Sequence, residues 1–244
     1  MSLPVGRILD KLDEHLHRND YDSARQRLLY WLAEAQSAGD TPAAVAVGNE
    51  LMGLYRKLGQ REQAVEMAEA TLRLVRPDTV TAATTYLNAA TVYKAFSAAD
   101  KALPLYEQAQ CIYERELAPS DTRLAGLYNN MALALVDLGR YETAEELYHK
   151  ALAIVTAHPD GAPEAAITHL NLASAAESRL GLEEGEAVIA HHLEQAQSLL
   201  EGYEKWDGNY AFVCEKCASV FGYYGHFAYQ IELENRARRI YEGS

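Results

Sequence analysis

One amphipathic pattern recurs six times along the 244-residue chain, and this internal repeat restricts the fold more than any other feature. The copies begin at Tyr21 (YDSARQRLLYWLAEA), Arg61 (REQAVEMAEATLRLV), Asp100 (DKALPLYEQAQCIYE), Tyr141 (YETAEELYHKALAIV), Ala187 (AVIAHHLEQAQSLLE) and Tyr229 (YQIELENRARRIYE). Equivalent residues near their ends, Trp31, Thr71, Ala109, Ala151, Ala196 and Ala237, are spaced by 40, 38, 42, 45 and 41 positions. Each copy follows a second helical stretch, and five short breaks separate the two: Asn19-Asp20, Leu58-Gly59-Gln60, Leu138-Gly139-Arg140, Leu180-Gly181-Leu182 and Tyr224-Gly225-His226. Further stop signals, Arg76-Pro77-Asp78, Pro119-Ser120-Asp121 and His158-Pro159-Asp160, divide one copy from the next. Each period therefore reads as a helix hairpin.

A lone hairpin cannot bury its apolar face, so neighbouring hairpins must stack. Ala24, Ala64, Ala102 and Ala144 supply small residues where helices approach closely. One turn later Leu28, Ala68, Tyr106 and Tyr148 fill the space between hairpins. Val, Ile and Thr never gather into alternating, turn-bounded stretches, so no sheet is expected. The reading is an all-α chain forming one solenoid domain over 1–244, in units at about 5–36, 45–76, 83–117, 123–157, 164–202 and 209–242.

The clearest unit is Leu138-Gly139-Arg140-Tyr141 followed by Ala144, Tyr148, Ala151 and Leu152, and preceded by Tyr128-Asn129-Asn130-Met131-Ala132 and Leu135. This order resembles the tetratricopeptide repeat (TPR) family, particularly longer-period members such as the kinesin light chain repeats, over nearly the whole chain. The resemblance implies a right-handed superhelical solenoid of about six antiparallel hairpins, with the first helix of each lining a concave groove. Three units depart from the pattern. The first has Asn19-Asp20 where the family has Gly, and the fifth carries extra residues around Gly181 to Gly185. The sixth keeps Gly225 and Phe227 but has Gln230 in place of the small residue, so its second helix is expected to pack loosely or to act as a cap.

Charge and composition exclude several functions. A formal net charge of −13 repels phosphate backbones, so no nucleic-acid partner is expected. No apolar run is long enough to cross a membrane, and the charged first thirty residues do not read as a signal peptide, which makes the cytoplasm the expected location. Cys111, Cys214 and Cys217 are too few for a disulfide framework. No phosphate-binding Gly-rich loop, His-Glu-x-x-His or Gly-x-Ser-x-Gly occurs, and the expectation is a non-catalytic protein without metal or cofactor.

Cys214-Glu215-Lys216-Cys217 has the Cys-x-x-Cys form of zinc and redox sites, but no second ligand pair has suitable spacing, so both thiols read as small buried residues. His191 and His192 are adjacent in a helix, project about 100° apart, and read as solvated or partly packed. Tyr86, Tyr93, Tyr106, Tyr128, Tyr141 and Tyr148 fall at packing positions, and Arg236, Arg238 and Arg239 suit a solvated helix end or an anion.

A polar pattern on the first helices remains: Tyr86-Leu87-Asn88-Ala89-Ala90, Tyr128-Asn129-Asn130-Met131-Ala132 and His169-Leu170-Asn171-Leu172-Ala173, with Asn49 in the second unit. Asn is a mediocre helix former, so its return at one register calls for a reason. The resemblance implies that Asn at this register clamps the backbone of a bound peptide, a task suited to a carboxamide that both donates and accepts. The alternative is that each Asn bonds a neighbouring helix and fixes the stack. The same stripe carries Arg56 and Lys57, then Lys94, then Asp137, then Glu177. An acidic or free-carboxylate ligand segment is expected at units two and three and a basic one nearer Asp137 and Glu177; a solvated charged face is the alternative. The functional expectation is a protein- or peptide-binding scaffold or adaptor. A structural homo-oligomer or assembly subunit with an incidental groove is its competitor.

Overall fold

The computed structural model describes residues 3–17 and 20–243. Asn19, placed at the first break above, lies outside them. The chain is all α, with eleven helices among the described residues: α1 (Val5–His17), α2 (Tyr21–Ser37), α3 (Thr41–Lys57), α4 (Arg61–Leu72), α5 (Val80–Ala95), α6 (Ala99–Glu116), α7 (Thr122–Asp137), α8 (Tyr141–Val155), α9 (Ala162–Glu201), α10 (Gly208–Tyr223) and α11 (Phe227–Glu242). α9 is two helices joined at Gly181, whose φ of 80° and ψ of 172° break the helical path. The result is six hairpins, as the repeat predicts: α1–α2, α3–α4, α5–α6, α7–α8, the two halves of α9, and α10–α11.

The turns have a common cause. Gly59, Gly139, Gly181 and Gly225 all adopt positive φ, a conformation that costs Gly little and that ends a helix by satisfying its last carbonyls. In the third hairpin Ser97 does the same at φ 60°, which explains why no Gly announced that turn. Between hairpins the helices start on side-chain caps: Asp40, Thr79, Asp121 and Asp207 each accept a backbone N–H of the first turn that follows, as Asp20 does within the first hairpin.

Contacts divide the chain into two compact units, Met1–Leu117 and Ala118–Ser244, each holding three hairpins. In the first, Leu12, Ala24, Leu28, Val47, Leu51, Met52, Ala64, Ala68, Ala89 and Val92 form one core. In the second, Ala166, Leu170, Ala173, Ile189, Leu193, Ala196, Tyr210, Cys214, Cys217, Phe221, Leu233 and Ala237 join in another. The four repeat alanines Ala24, Ala64, Ala102 and Ala144 are all fully buried, as are Leu28, Ala68, Tyr106 and Tyr148.

Close approach does not always fall to the expected residue. In the sixth hairpin Gln230 occupies the small-residue position, and room for it is made on the opposite helix, where a Cβ on Gly222 would collide with the Gln230 amide. In the second hairpin a Cβ on Gly48 would collide with Thr71, whose hydroxyl donates to Met67 O at 2.8 Å.

Candidate functional site

Each unit contains one polar rung between neighbouring first helices. In the first unit Asn49 Nδ2 on α3 donates to Thr85 Oγ1 on α5 at 3.0 Å, and Asn88 Nδ2, one turn after Thr85, donates back to Asn49 Oδ1 at 3.0 Å. In the second, Asn129 Nδ2 on α7 donates to Thr168 Oγ1 on α9 at 2.7 Å, and Asn171 Nδ2 donates to Asn129 Oδ1 at 3.3 Å. Both Thr hydroxyls also donate to a carbonyl of their own helix, Thr81 O and Glu164 O. The motif is therefore Asn against Thr-x-x-Asn, repeated with the same polarity. A buried Thr hydroxyl and an Asn amide satisfy each other, which resolves the cost of burying polar groups at a helix contact.

The rungs revise the Asn register. Counted back from the positive-φ turn residues, Asn49, Asn129 and Asn171 stand ten positions before Gly59, Gly139 and Gly181. Asn88 and Asn130 stand nine before Ser97 and Gly139. Asn130 makes no rung: its Nδ2 donates to Gly126 O of its own helix at 2.9 Å. Thr85 and Thr168 escaped the sequence reading, although a Thr three residues before Asn in both α5 and α9 was a visible signal.

In the second unit the rung borders a cleft of about 390 Å3, floored by Leu133, Ile167, Leu170 and Val220 and edged by Asn129, Asn130, Asn171, Glu164 and Lys216. Asn130 Oδ1 and Asn171 Oδ1 accept no hydrogen bond among the described residues, and both residues line the cleft together with its apolar floor and Lys216. Lys216, on α10, also lies over the Phe212 ring at 5.2 Å. It belongs to the Cys-x-x-Cys stretch but was not singled out, since helix register alone does not bring α10 beside α7 and α9.

The charged residues sit elsewhere on the first helices. Arg56 and Lys57 occupy the last turn of α3 and Lys94 that of α5. Lys57 Nζ stacks over Tyr21 at 4.9 Å. Asp137 is the exposed last residue of α7. Glu177 is already engaged, accepting from Tyr223 OH at 2.5 Å and Tyr224 OH at 2.7 Å.

Cys214 and Cys217 are both buried in α10, and burial pushes their thiols up to about 11 and about 12, which disfavours the thiolate form. Arg236 packs between Trp206 and Tyr229 and donates to Glu232, to Leu200 O and to Tyr210 OH. It therefore joins the last two hairpins of the second unit.

Residues 123–184 match the family model described as Tetratricopeptide repeat, a span that includes all but the first residue of α7, all of α8 and the second rung. Among solved structures, BtubC (BKLC) from P. vanneervenii aligns over 82% of this chain and 82% of its own, at 21% identity and a TM-score of 0.68. A Podosopora anserina putative kinesin light chain with nearly identical TPR-like repeats aligns over 79% of this chain and 92% of its own, at 21% identity and a TM-score of 0.54. PilW, described as a widely conserved type IV pilus biogenesis factor, aligns over 100% of this chain and 96% of its own, at 14% identity and a TM-score of 0.62. No curated protein matches the chain in sequence. The resemblance read from Leu138 to Leu152 thus holds: residues 123–184 match the tetratricopeptide repeat model, and the fold beyond them is like that of solved tetratricopeptide solenoids. That fold generally mediates protein–protein interaction and is generally not enzymatic. Among the described residues no helix is long and apolar enough to cross a membrane.

Proposed function

We propose that this protein is a non-catalytic scaffold or adaptor of the cytoplasm that holds an extended segment of a partner polypeptide. The observation that carries the reading is the second-unit cleft, lined by Asn130 and Asn171 beside an apolar floor, with Oδ1 atoms on both that accept no hydrogen bond among the described residues. A peptide in extended form offers backbone N–H donors and side chains on alternate faces, which suits that combination. The rung Asn residues serve mainly by fixing the helices that form the cleft, and Asn130 and Lys216 are the contact residues. In the first unit Arg56, Lys57 and Lys94 favour an acidic or free-carboxylate segment. In the second unit Asp137 favours a basic one, and Glu177 contributes only if its tyrosines turn away. In this reading residues 1–244 act as one domain.

A few hydrogen bonds at about 0.5–1.5 kcal/mol each fall short of the roughly 8 kcal/mol that micromolar affinity needs. The apolar floor must supply the difference. The test is selection of a random peptide library on the full chain, repeated with Asn130→Ala combined with Lys216→Glu. Enriched peptides should bind the wild type and lose at least about tenfold in affinity on the variant, a loss of about 1.4 kcal/mol. No enrichment, or equal binding to both proteins, would contradict the reading.

A second reading, a homo-oligomer or assembly subunit, is favoured by the last hairpin, where Tyr223, Phe227 and Ile231 are 67%, 64% and 57% exposed. Sedimentation across a hundredfold concentration range separates the two, since self-association without peptide binding supports only the second.

A further inference from the structure

His169 lies before Gly181 in α9 and His192 after it, so the two belong to opposite arms of the fifth hairpin. Their Nδ1 atoms are 3.1 Å apart. A contact of this kind requires one nitrogen to carry a hydrogen and the other to offer a lone pair. It survives the first added proton, because one donor and one acceptor remain. A second proton makes both nitrogens donors and sets two like charges against each other.

We infer that His169 and His192 form a proton-sensitive latch, which holds the α9 wall of the second-unit cleft in place near neutral pH and releases it in acid.

The surroundings favour the uncharged pair. Burial, then neighbouring histidines, lower both imidazoles, His192 to about 4. α8 contributes His149, which acts on both rings, and Glu145 and Tyr141, which share a small cavity with His192. Glu145 cannot readily neutralise the pair, because Arg179 on α9 lies 3.7 Å from it and His149 3.8 Å. Arg179 also binds Glu142, and His191, next to His192 on α9, lies 5.3 Å from it between ring centroids. The polar residues of α7 and α10 that line the cleft, Asn129, Asn130, Lys216, Cys217 and Ser219, meet α9 at Ile167, Leu170 and Asn171, on nearly the opposite side of that helix from His169.

The latch reaches the cleft through the helix that carries it. Thr168 and Asn171, which flank His169, are the two α9 members of the second rung. Lowered folded-state values mean that the unfolded or opened form takes up protons first as pH falls below about 6.5. The closed form is therefore fully favoured above that point and progressively disfavoured down to about 4.

As regulation of the cleft this rests on the peptide-binding reading, but its test needs no ligand. Cys217 lines the cleft and is buried, so it reports opening of the α9 wall. In a Cys111→Ser background, Cys217 is labelled with 4,4′-dithiodipyridine and quantified by peptide mass, with far-ultraviolet circular dichroism on the same samples. The wild type is compared with His169→Gln and His192→Gln, whose amides keep a donor and an acceptor at every pH. At pH 7.5 the three should label within about twofold of one another, and at pH 4.5 the wild type should label at least about fivefold faster with its helical signal intact. Equal rates at pH 4.5, or acceleration only with loss of helical signal, would overturn the latch. Should a variant fail to fold, imidazole 15N shifts of the wild type decide. One shared Nδ1 proton at pH 7.5 giving way to two imidazolium rings at pH 4.5 supports the latch, and two independent, unlinked titrations overturn it. Failure here leaves peptide binding standing, whereas failure of library selection leaves the latch standing.

Discussion

Asn88 Nδ2 donates to Asn49 Oδ1 across 3.0 Å, although the two residues are 39 positions apart on different hairpins. The same bond, Asn171 Nδ2 to Asn129 Oδ1, spans 42 positions in the second unit. Asn129 should therefore behave as a structural residue and Asn130, its neighbour, as a surface one. Asn129→Ala removes bonds to both Thr168 and Asn171 and should cost about 1–3 kcal/mol in urea unfolding. Asn130→Ala should cost within about 0.5 kcal/mol. Similar losses for both would show that the rung contributes little.

Tyr106 and Tyr148 occupy equivalent buried positions, yet only one hydroxyl is paired. Tyr106 OH lies 3.2 Å from Thr91 Oγ1, fifteen residues earlier. Fifteen residues before Tyr148 stands Leu133, and Tyr148 OH is buried with no hydrogen-bond partner among the described residues. Tyr148→Phe should be neutral or stabilising, since it removes an uncompensated polar group, whereas Tyr106→Phe should cost about 0.5–1.5 kcal/mol. Thermal unfolding of the two variants side by side measures the difference, and a larger loss for Tyr148→Phe would contradict it.

Gly48→Ala places a methyl group on α3 against Thr71 of α4, whose hydroxyl is held by a hydrogen bond to Met67 O of its own helix. Overpacking of this kind costs about 1–3 kcal/mol despite the better helix propensity of Ala. Gly222→Ala should be milder, because the obstructing Gln230 amide ends a flexible side chain. The order of the two denaturation midpoints is the readout.

Asp121 caps α7 through Arg123 N and is held by the Arg123 guanidinium at 2.7 and 2.9 Å. The hydrogen bond from Arg123, opposed in part by burial, depresses the carboxyl to about 2. A carboxylate lowered in the folded state contributes stability that is present above its ordinary value near 4 and lost as pH falls towards 2. Asp121→Ala should cost about 1 kcal/mol at pH 7 and much less at pH 2.5, judged by urea unfolding at the two values.

Arg56→Glu combined with Lys94→Glu reverses two charges at the ends of α3 and α5. If an acidic peptide segment docks in the first unit, affinity for library-selected acidic peptides should fall and its salt dependence should flatten, while the circular dichroism melt stays nearly unchanged. Unaltered affinity would remove these residues from the site. A lowered melting temperature would assign them to the helix dipole.

The sequence alone determined the hairpins. The period set by Ala24, Ala64, Ala102 and Ala144, and the glycines at 59, 139, 181 and 225, are local signals, because helix packing and left-handed turns each demand particular residues at particular positions. Ser97 and Gly222 show the limit of that reading: the same turn and the same close approach were met by residues outside the pattern, for reasons visible only in backbone angles and facing side chains.

The Asn residues were legible as a repeated feature, but their task was not. Whether a carboxamide faces solvent or a neighbouring helix depends on about one residue of register, and that was settled by Thr85 and Thr168 arriving from the next hairpin. The cleft beside them, the occupation of Glu177 by two tyrosines and the meeting of His169 with His192 likewise depend on contacts between helices distant in sequence. Local periodicity determines which face of a helix is apolar. Only tertiary packing decides which polar groups on that helix find each other, and so which remain for a partner.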